Sequence, residues 1–250
     1  MPNAFDGGSA RLLASLGFQA LATTSSGAAA TLGRLDGSLD RDETLANAAA
    51  IVSATSLPVS ADLGNGFGDG ADDVALTVRM AGAIGVAGVS IEDYAGTTSA
   101  PMFDIETAVE RVEAAADAAH TGATKLVLTA RADNFVHGRP DLADTISRLQ
   151  AFQSAGADVL FAPGIASPSE IRDVVSSVDR PVNVMVQPGS PSVSELAELG
   201  VKRISVGGAF AFAAYGAVIE AAKELREVGT FGYLTRSAVG RNAARTAFEA

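Results

Sequence analysis

A chain of 250 residues, 48% of them hydrophobic, is long enough for a full core and suits one α/β barrel as well as two smaller domains. Its 18 basic and 29 acidic residues give a net charge of −11, which disfavours nucleic acid and anionic membranes as partners. The lack of cysteine excludes disulfides, thiolate metal sites and cysteine nucleophiles. No apolar run reaches the ~18 residues of a membrane span and the N-terminus lacks a signal pattern, so we expect a cytoplasmic protein.

The predicted elements alternate between strand and helix along nearly the whole chain. Short apolar runs predict strands at residues 2–5, 18–24, 58–62, 86–91, 126–130, 159–161, 182–186 and 203–206. Helical patterns predict helices at residues 9–16, 43–54, 72–83, 105–120, 142–155, 167–176, 192–199 and 209–225. This repeat is typical of a (β/α)8 TIM barrel, and a doubly wound open sheet is the competing α/β architecture. No linker-like change of composition interrupts it, so we expect a single domain over residues 1–250.

Two segments depart from this alternation. Residues 28–42 are rich in Gly, Ala and Asp with weak periodicity, which predicts a long loop that closes over the site when ligand binds. Residues 230–250 form a less regular tail with a basic helical piece that contains Arg236, Arg241 and Arg245. We expect this tail to be an extra C-terminal helical segment, able to pack on a partner subunit.

Charged residues end three neighbouring predicted strands. They are Asp62, Glu92 with Asp93, and Arg131 with Asp133, and four glycines at alternate positions follow Asp62. Barrel enzymes place their active residues at the carboxyl ends of the strands, which lie ~5 Å apart, so these carboxylates can converge on one cation. Oxygen ligands suit Mg²⁺ or Mn²⁺, and Arg131 would clamp a substrate carboxylate or phosphonate. The alternative is that these residues cap helices or form ion pairs at the barrel rim.

Other polar features carry less weight. Gly207 and Gly208 follow the last strand and could cradle a phosphate, although close packing between strand and helix explains them as well. His137 lies in the loop after the fifth strand, within reach of the site. His120 ends a helix, where a surface histidine is the ordinary interpretation.

A set of short motifs runs through the chain in a specific order and spacing. The motifs are PNAFD (2–6), SAR (9–11), ATTSSG (22–27), Asp62 with GFG (66–68), IED (91–93), ARAD (130–133), PVNV (181–184) and RISVG (203–207). In these motifs, which extend over nearly all of residues 2–233, the chain resembles the isocitrate lyase and phosphoenolpyruvate mutase superfamily. The resemblance implies a TIM barrel that binds Mg²⁺ and a small 2-oxo acid, and that breaks or rearranges a C–C or C–P bond through an enolate of pyruvate. It also implies a homotetramer in which a C-terminal helix swaps between neighbouring subunits.

The resemblance also implies roles for individual residues. Asp62 is implied as the acid nearest the metal, and Glu92 as the residue that holds metal-bound water. The implied substrate ligands are Ser26, Gly27, Arg131 and Asn183. Asp36 matches the gating-loop aspartate of the mutase branch, and it is implied as catalytic together with Arg131.

Two departures from the superfamily pattern bear on the function. The lyases that act on isocitrate and methylisocitrate carry a catalytic cysteine in the gating loop, and this chain has none, which argues against those activities. The second acid of the metal site, expected two residues after Asp62, is Gly64, so either water replaces that ligand or metal binding is weakened. The leading interpretation is a phosphonomutase-like enzyme or a C–C or C–P lyase. The alternatives are an oxaloacetate decarboxylase or hydrolase on the same scaffold, or a binding protein that has lost catalysis.

Overall fold

The computed structural model describes residues 1–96 and 101–249. Seven parallel strands lie side by side in chain order and form a nearly closed barrel with helices between them. The strands are β1 (Leu21–Ala22), β2 (Val59–Asp62), β3 (Gly88–Glu92), β4 (Val127–Arg131), β5 (Val159–Phe161), β6 (Val182–Met185) and β7 (Arg203–Ser205). This arrangement confirms the predicted (β/α)8 TIM-like barrel, because an open doubly wound sheet would not keep its strands in sequential order.

The helices cover the outer side of the barrel. They are α1 (Gly7–Ser15), α2 (Ser25–Thr31), α3 (Arg41–Ala54), α4 (Ala71–Ala83), α5 (Ile105–Thr121), α6 (Leu142–Ser154), α7 (Pro168–Ser176), α8 (Val193–Glu198), α9 (Ala209–Lys223) and α10 (Leu234–Glu249). A π-helical turn, Glu224–Val228, continues α9. Within the described ranges, no helix is both long enough and apolar enough to cross a membrane.

The predicted first strand is reduced to one parallel bridge, from Asn3 to Ala22. The Asn3 side chain spans the gap between the two ends of the sheet. Its Nδ2 donates to the Thr23 carbonyl at 2.7 Å, and its Oδ1 accepts from the amides of Val206 and Gly207 at 2.9 and 3.1 Å. The N-terminal segment therefore lies between β1 and β7, in the place of an eighth strand.

Side chains along the strands alternate between the helices and the barrel interior, as the two-residue repeat of a strand requires. In β2 to β4, outward positions such as Ala61, Ile91 and Leu128 are apolar and belong to the main hydrophobic core. Inward positions such as Ser60 and Thr129 are polar, and they line an interior cavity. The core therefore lies between barrel and helices, and the barrel interior is available for a site.

The segment predicted as a loop over residues 28–42 begins as a helix, which corrects that part of the prediction. Thr24 caps α2 with its side chain, and Ala28 and Ala29 are buried on the barrel. An alanine-rich helix gives no helical periodicity in the sequence, because small residues occupy every face. Only residues 32–40 connect α2 to α3 without regular structure.

The C-terminal tail is more regular than predicted. Residues 234–249 form the helix α10, which packs against α1 of the same chain. Arg11 Nη1 donates to the Phe248 carbonyl at 3.3 Å, and Ala247 is buried at this contact. Residue 250 lies outside the described residues, and the packing of the tail on a partner subunit stays a prediction.

Candidate active site

A cavity of about 780 Å³ opens at the carboxyl ends of the strands and extends into the barrel interior. The side chains that end β2, β3 and β4, namely Asp62, Glu92 and Arg131, form one side of its upper rim. Thr129 of β4 and Arg203 of β7 line its lower part. The size suits a small ligand, and the three charged strand ends predicted from the sequence surround a single volume.

Arg131 is the centre of the charged rim. Its Nη1 lies 3.2 Å from Asp62 Oδ1 and its Nη2 lies 3.0 Å from Glu92 Oε2. Asp133 receives two parallel hydrogen bonds, from Nε at 3.1 Å and from Nη2 at 2.7 Å. Three carboxylates therefore share one guanidinium, which leaves an excess of acidic groups at the rim.

Burial and the neighbouring charges shift the pKa values at the rim. Burial raises the pKa of Glu92 to about 8, and Asp133 and Asp62 add to the rise while Arg131 opposes it. Burial alone would lower the pKa of Arg131, but Asp133, Glu92 and Asp62 together raise it well above its ordinary value. Burial therefore favours the protonated form of Glu92 at neutral pH.

Asp62 and Glu92 are the residues that fit a divalent cation. No group of three or more His, Cys, Asp or Glu side chains in the described parts of the chain has the geometry of a metal site. Mg²⁺ binds proteins through one or two carboxylates and keeps several waters, so two carboxylates on neighbouring strands suit it. Gly64 has a left-handed backbone with φ +54°, and a Cβ atom at this position would lie 4.0 Å from Glu92 Oε1, so the missing acid leaves space for water.

The turn between β1 and α2 brings one of its two predicted substrate ligands into the cavity. Ser26 lines the cavity. Gly27 does not, because it is packed against Phe5 and its amide donates to the Thr24 hydroxyl at 3.4 Å. The Ser25 amide donates to Asp62 Oδ2 at 3.1 Å, a contact that the sequence did not predict. The start of α2 therefore orients the proposed metal ligand.

Asp36 lines the cavity near its opening, and Asn183 lines it lower down in the barrel. Asp36 belongs to the exposed connection between α2 and α3, and its Oδ1 accepts from the Gly37 amide at 3.0 Å. Asn183 is buried in β6. Its Oδ1 accepts from Arg203 Nε at 3.0 Å, and its Nδ2 donates to Ser205 Oγ at 3.0 Å. The amide of Asn183 is thus engaged by its neighbours below the rim.

Asp93 fits the alternative interpretation, in which a strand-end acid forms structural contacts. Its Oδ1 accepts from the Asp133 amide at 2.9 Å, and its Oδ2 pairs with Arg148 Nη1 at 3.1 Å. Burial raises the pKa of Asp93 to about 7, although the Asp133 amide and Arg148 oppose that rise. Asp93 therefore holds the loop that carries Asp133, and Asp133 in turn orients Arg131.

The two histidines lie in different surroundings. The ring of His137 stacks on Tyr94 with centroids 3.7 Å apart, and both residues line the cavity. Burial lowers the pKa of His137 despite the nearby Asp133. His120 pairs with Asp158 at 2.9 Å near the end of α5, in agreement with its interpretation as a helix-end residue.

Arg203 and Phe67 are among the cavity residues that the sequence did not indicate as site residues. Arg203 begins a strand instead of ending one, so a search at strand ends passes over it. Phe67 lines the cavity with a left-handed backbone, φ +60°, which is uncommon for a bulky residue. Arg41 Nη2 donates to its carbonyl at 3.1 Å and supports this conformation. The GFG motif indicated an unusual turn, but it did not indicate that Phe67 would be the residue with the left-handed backbone.

Comparisons with known proteins agree with this fold. The family model for phosphoenolpyruvate phosphomutase matches residues 1–226. A crystal structure from Burkholderia cenocepacia J2315, described as a lyase or mutase, has a TM-score of 0.95 and 51% identity, covering 98% of this chain and 88% of that one. The 2,3-dimethylmalate lyase structure has a TM-score of 0.84 and 34% identity, with 92% and 83% of the two chains covered.

Further relatives show the range of reactions on this scaffold. An oxaloacetate decarboxylase of Chromohalobacter salexigens is 29% identical over 90% of this chain and 79% of its own length. A phosphonopyruvate hydrolase structure in complex with oxalate and Mg²⁺ has a TM-score of 0.83 and 25% identity, covering 94% of this chain and 84% of that one. With the family model matching most of its length, the chain belongs to the phosphoenolpyruvate phosphomutase family, within the lyases and mutases of the isocitrate lyase and PEP mutase superfamily.

Proposed function

We propose that the protein is a Mg²⁺-dependent enzyme that acts on a small 2-oxo acid through a pyruvate enolate, as a C–C or C–P lyase or a phosphonomutase-like enzyme. The observation that carries the proposal is the convergence of Asp62, Glu92 and Arg131 on one cavity at the carboxyl ends of β2, β3 and β4. The phosphonopyruvate hydrolase that binds oxalate and Mg²⁺ supports the choice of metal and substrate class.

The proposed chemistry divides between the cation and the residues of this chain. Mg²⁺ would polarise the 2-oxo group and offset the negative charge that develops when a bond to the neighbouring carbon breaks. Asp62 and Glu92 would hold it, and the Ser25 amide keeps Asp62 oriented. Arg131 would bind the substrate carboxylate through the N–H groups of Nη1 and Nη2 that would become free when Asp62 and Glu92 turn from the guanidinium to the cation, while Asp133 keeps holding Nε.

Residues around the rim would orient the substrate and exclude water. Ser26, at the start of α2, lines the cavity and can donate to the substrate carboxylate. We propose that the connection over residues 32–40 closes over the cavity and brings Asp36 above the reacting atoms. A closed cavity would protect an enolate from unwanted protonation.

A second enzymatic function has a specific observation in its favour. The similarity to an oxaloacetate decarboxylase extends over 90% of this chain, so oxaloacetate decarboxylation, or a related hydrolysis, is the competing reaction. Gly64 favours a third outcome, a protein that binds 2-oxo acids without turning them over, because the metal site has one acid fewer than the superfamily pattern implies.

Metal and ligand titration tests the proposal. Wild-type protein should bind Mn²⁺ and oxalate together, since oxalate resembles the pyruvate enolate, and release of pyruvate from a panel of 2-oxo acids should identify the reaction. Asp62→Asn should abolish Mn²⁺ binding, whereas Asp72→Asn, which removes the same charge from an exposed position of α4, should not. Equal Mn²⁺ affinity in wild type and Asp62→Asn would remove Asp62 from the site.

The assembly and location remain proposals. We propose that the protein forms a homo-oligomer. The superfamily resemblance implies a tetramer, and α9 exposes large apolar side chains such as Phe212, Val218 and Ile219, which a partner subunit could cover. Light scattering in solution checks this, and a monomer at micromolar concentration would contradict it. The single domain over residues 1–250 and the cytoplasmic location also stay predictions.

A further inference from the structure

Arg203 lies in the lower part of the cavity, where it reaches across the barrel from β7. Its Nη2 donates to the hydroxyl of Thr129, on β4, at 2.8 Å. Its Nε donates to Asn183 Oδ1 at 3.0 Å. Both partners are neutral oxygens. Within residues 1–96 and 101–249, no carboxylate lies within salt-bridge distance of Arg203, in contrast to Arg131 with its three acids.

A buried guanidinium without an acid is costly, because burial disfavours the charged form. The cost is visible in Arg203, where burial lowers the pKa to about 10. Among the described residues, Nη1 has no hydrogen-bond acceptor, and it is not one of the fully enclosed unpartnered atoms. Since Arg203 lines the cavity, this part of the guanidinium is open to a ligand that enters it.

The depth of Arg203 relative to Arg131 follows from β4. Thr129, which accepts from Arg203, precedes Arg131 by two residues on the same strand, and both side chains face the cavity. Two residues along a strand correspond to a separation of ~7 Å. Arg203 therefore contacts β4 two residues below Arg131, and the two arginines reach different depths of one cavity.

The balance of charge indicates what Arg203 can do for a ligand. At the rim, Asp62, Glu92 and Asp133 carry three negative charges when ionised against one positive charge on Arg131, a balance of −2. A divalent cation would bring the rim only to neutrality. A second acidic group on the substrate needs a further positive charge, and Arg203 supplies one at the cavity floor.

We propose that Arg203 forms a second oxyanion site, which holds the distal acidic group of a dianionic substrate while Arg131 holds the carboxylate next to the 2-oxo group. This inference rests on the proposed function for the identity of the ligand. It adds a preference for dianionic over monoanionic acids, and it assigns that preference to a residue at the floor of the barrel. The hydrogen bonds to Thr129 and Asn183 fix the guanidinium plane, so the site is formed before the ligand enters.

Binding of two unreactive acids tests the preference. Malate and 2-hydroxybutyrate have the same four-carbon chain and differ in the terminal group, which is a carboxylate in one and a methyl in the other. Wild type with Mg²⁺ should bind malate at least ~10-fold more tightly, as expected for one desolvated charge-assisted contact. Arg203→Gln should bring the ratio close to one. Lys202→Gln, which removes a charge from the neighbouring exposed position, should leave it unchanged.

A structural role for Arg203 gives a different result. It predicts that Arg203→Gln lowers the melting temperature and weakens both acids alike, with their ratio preserved, and this outcome would overturn the proposal. If Arg203→Gln does not fold, an NMR titration of the wild-type protein still tests the proposal. The Arg203 Nε–H resonance, assigned by through-bond NMR, should shift when malate saturates the protein.

The NMR titration separates this proposal from the proposed function. If malate shifts the Arg131 Nε–H resonance but leaves that of Arg203 in place, the second site is wrong and the proposed function stands. If inorganic sulfate shifts the Arg203 resonance while no organic acid binds with Mg²⁺, Arg203 is an oxyanion site and the proposed function fails. If neither sulfate nor malate shifts it, the second site is wrong.

Discussion

The rim and the floor of the cavity each contain one partly buried arginine, and the two differ in what surrounds them. Arg131 at the rim is held by three carboxylates, whereas Arg203 at the floor is held by a hydroxyl and an amide. The rim can therefore change its charge by exchanging protons or cations. Arg203 at the floor has no acid partner in the described residues, and it keeps its positive charge at neutral pH because its lowered pKa is still about 10.

This difference indicates a division of work between the two levels. A group of acids around one cation can accept a metal ion at little electrostatic cost, since the repulsion among the acids is relieved. A fixed cation with neutral partners can only attract an anion. The barrel interior thus has an excess of acidic groups at the rim and a positive charge from Arg203 at the floor.

Among these tests, we expect the largest effect from Arg131→Lys, which keeps the positive charge at the rim but removes the planar guanidinium. We expect oxalate affinity in the presence of Mn²⁺ to fall by on the order of 1.5–3 kcal/mol, the cost of a bidentate charge-assisted contact. Isothermal titration measures it, and Arg139→Lys on an exposed loop is the control. A loss below about threefold would contradict the carboxylate-binding role.

A pH titration should separate the two arginine sites, because burial raises the pKa of Glu92 to about 8, whereas the pKa of Arg203 is lowered only to about 10. We expect Mn²⁺ affinity to weaken as pH falls from 8 to 6, by up to ~10-fold per pH unit, since a proton must leave Glu92. A flat profile in wild type would show that Glu92 does not bind the metal.

The same pKa predicts the stability of the metal-free protein. Folded Glu92 keeps its proton between about pH 4.5 and 8, where an unfolded glutamate has lost it, so the contribution of Glu92 to the free energy of unfolding falls as pH rises through this window. Glu92→Gln should remove that part of the slope in denaturant unfolding. An unchanged slope would mean that Glu92 is ionised in the folded protein.

Asp36→Ala tests whether the rim is closed by the connection over residues 32–40. We expect kcat to fall roughly tenfold, which corresponds to about 1.4 kcal/mol of barrier height, while Mn²⁺ affinity stays unchanged. In wild type, Mg²⁺ with oxalate should slow tryptic cleavage near Arg34 and Arg41. Identical cleavage with and without ligand, together with full activity of Asp36→Ala, would contradict closure.

The smallest expected effect comes from Gly64, which can be used to add charge to the rim. Gly64→Asp should raise Mn²⁺ affinity a few-fold, because a Cβ atom there lies 4.0 Å from Glu92 Oε1. Gly64→Ala should leave metal affinity unchanged and cost about 1–2 kcal/mol of stability, because φ is +54°. Mn²⁺ titration and thermal melting measure the two effects. A metal affinity lower than wild type in Gly64→Asp would show that the site needs water there.

The rim could be predicted from the sequence and the floor could not. Asp62, Glu92 and Arg131 each follow an apolar run, and parallel strands bring their carboxyl ends to the same place, so local pattern was enough. The contact between Arg203 and Thr129 joins residues 74 positions apart across the barrel interior. It depends on barrel closure and on the length of a side chain, and neither has a local signal.

Composition also limited the prediction of secondary structure. The barrel followed from the repeat of strands and helices, which larger side chains marked clearly. The helix Ser25–Thr31 was missed because its alanines, serines and glycine have no apolar face to detect. Gly27, which the superfamily resemblance implies as a substrate ligand, lies inside this helix and packs against Phe5, and its role at the substrate stays a prediction.

The Asn3 side chain, which joins the two ends of the sheet, has a consequence for how the chain folds. Its contact with Val206 links positions separated by 203 residues, so this hydrogen bond requires the two ends of the sheet to be brought together across nearly the whole chain. Contacts of such long range are late and slow to form, since the entropy of closing the intervening chain must be lost first. Asn3 also lines the cavity, so the ligand pocket is completed only at this last closing step. A newly made chain therefore cannot complete its binding pocket before residues 206 and 207 have been synthesised and lie beside the N-terminal segment.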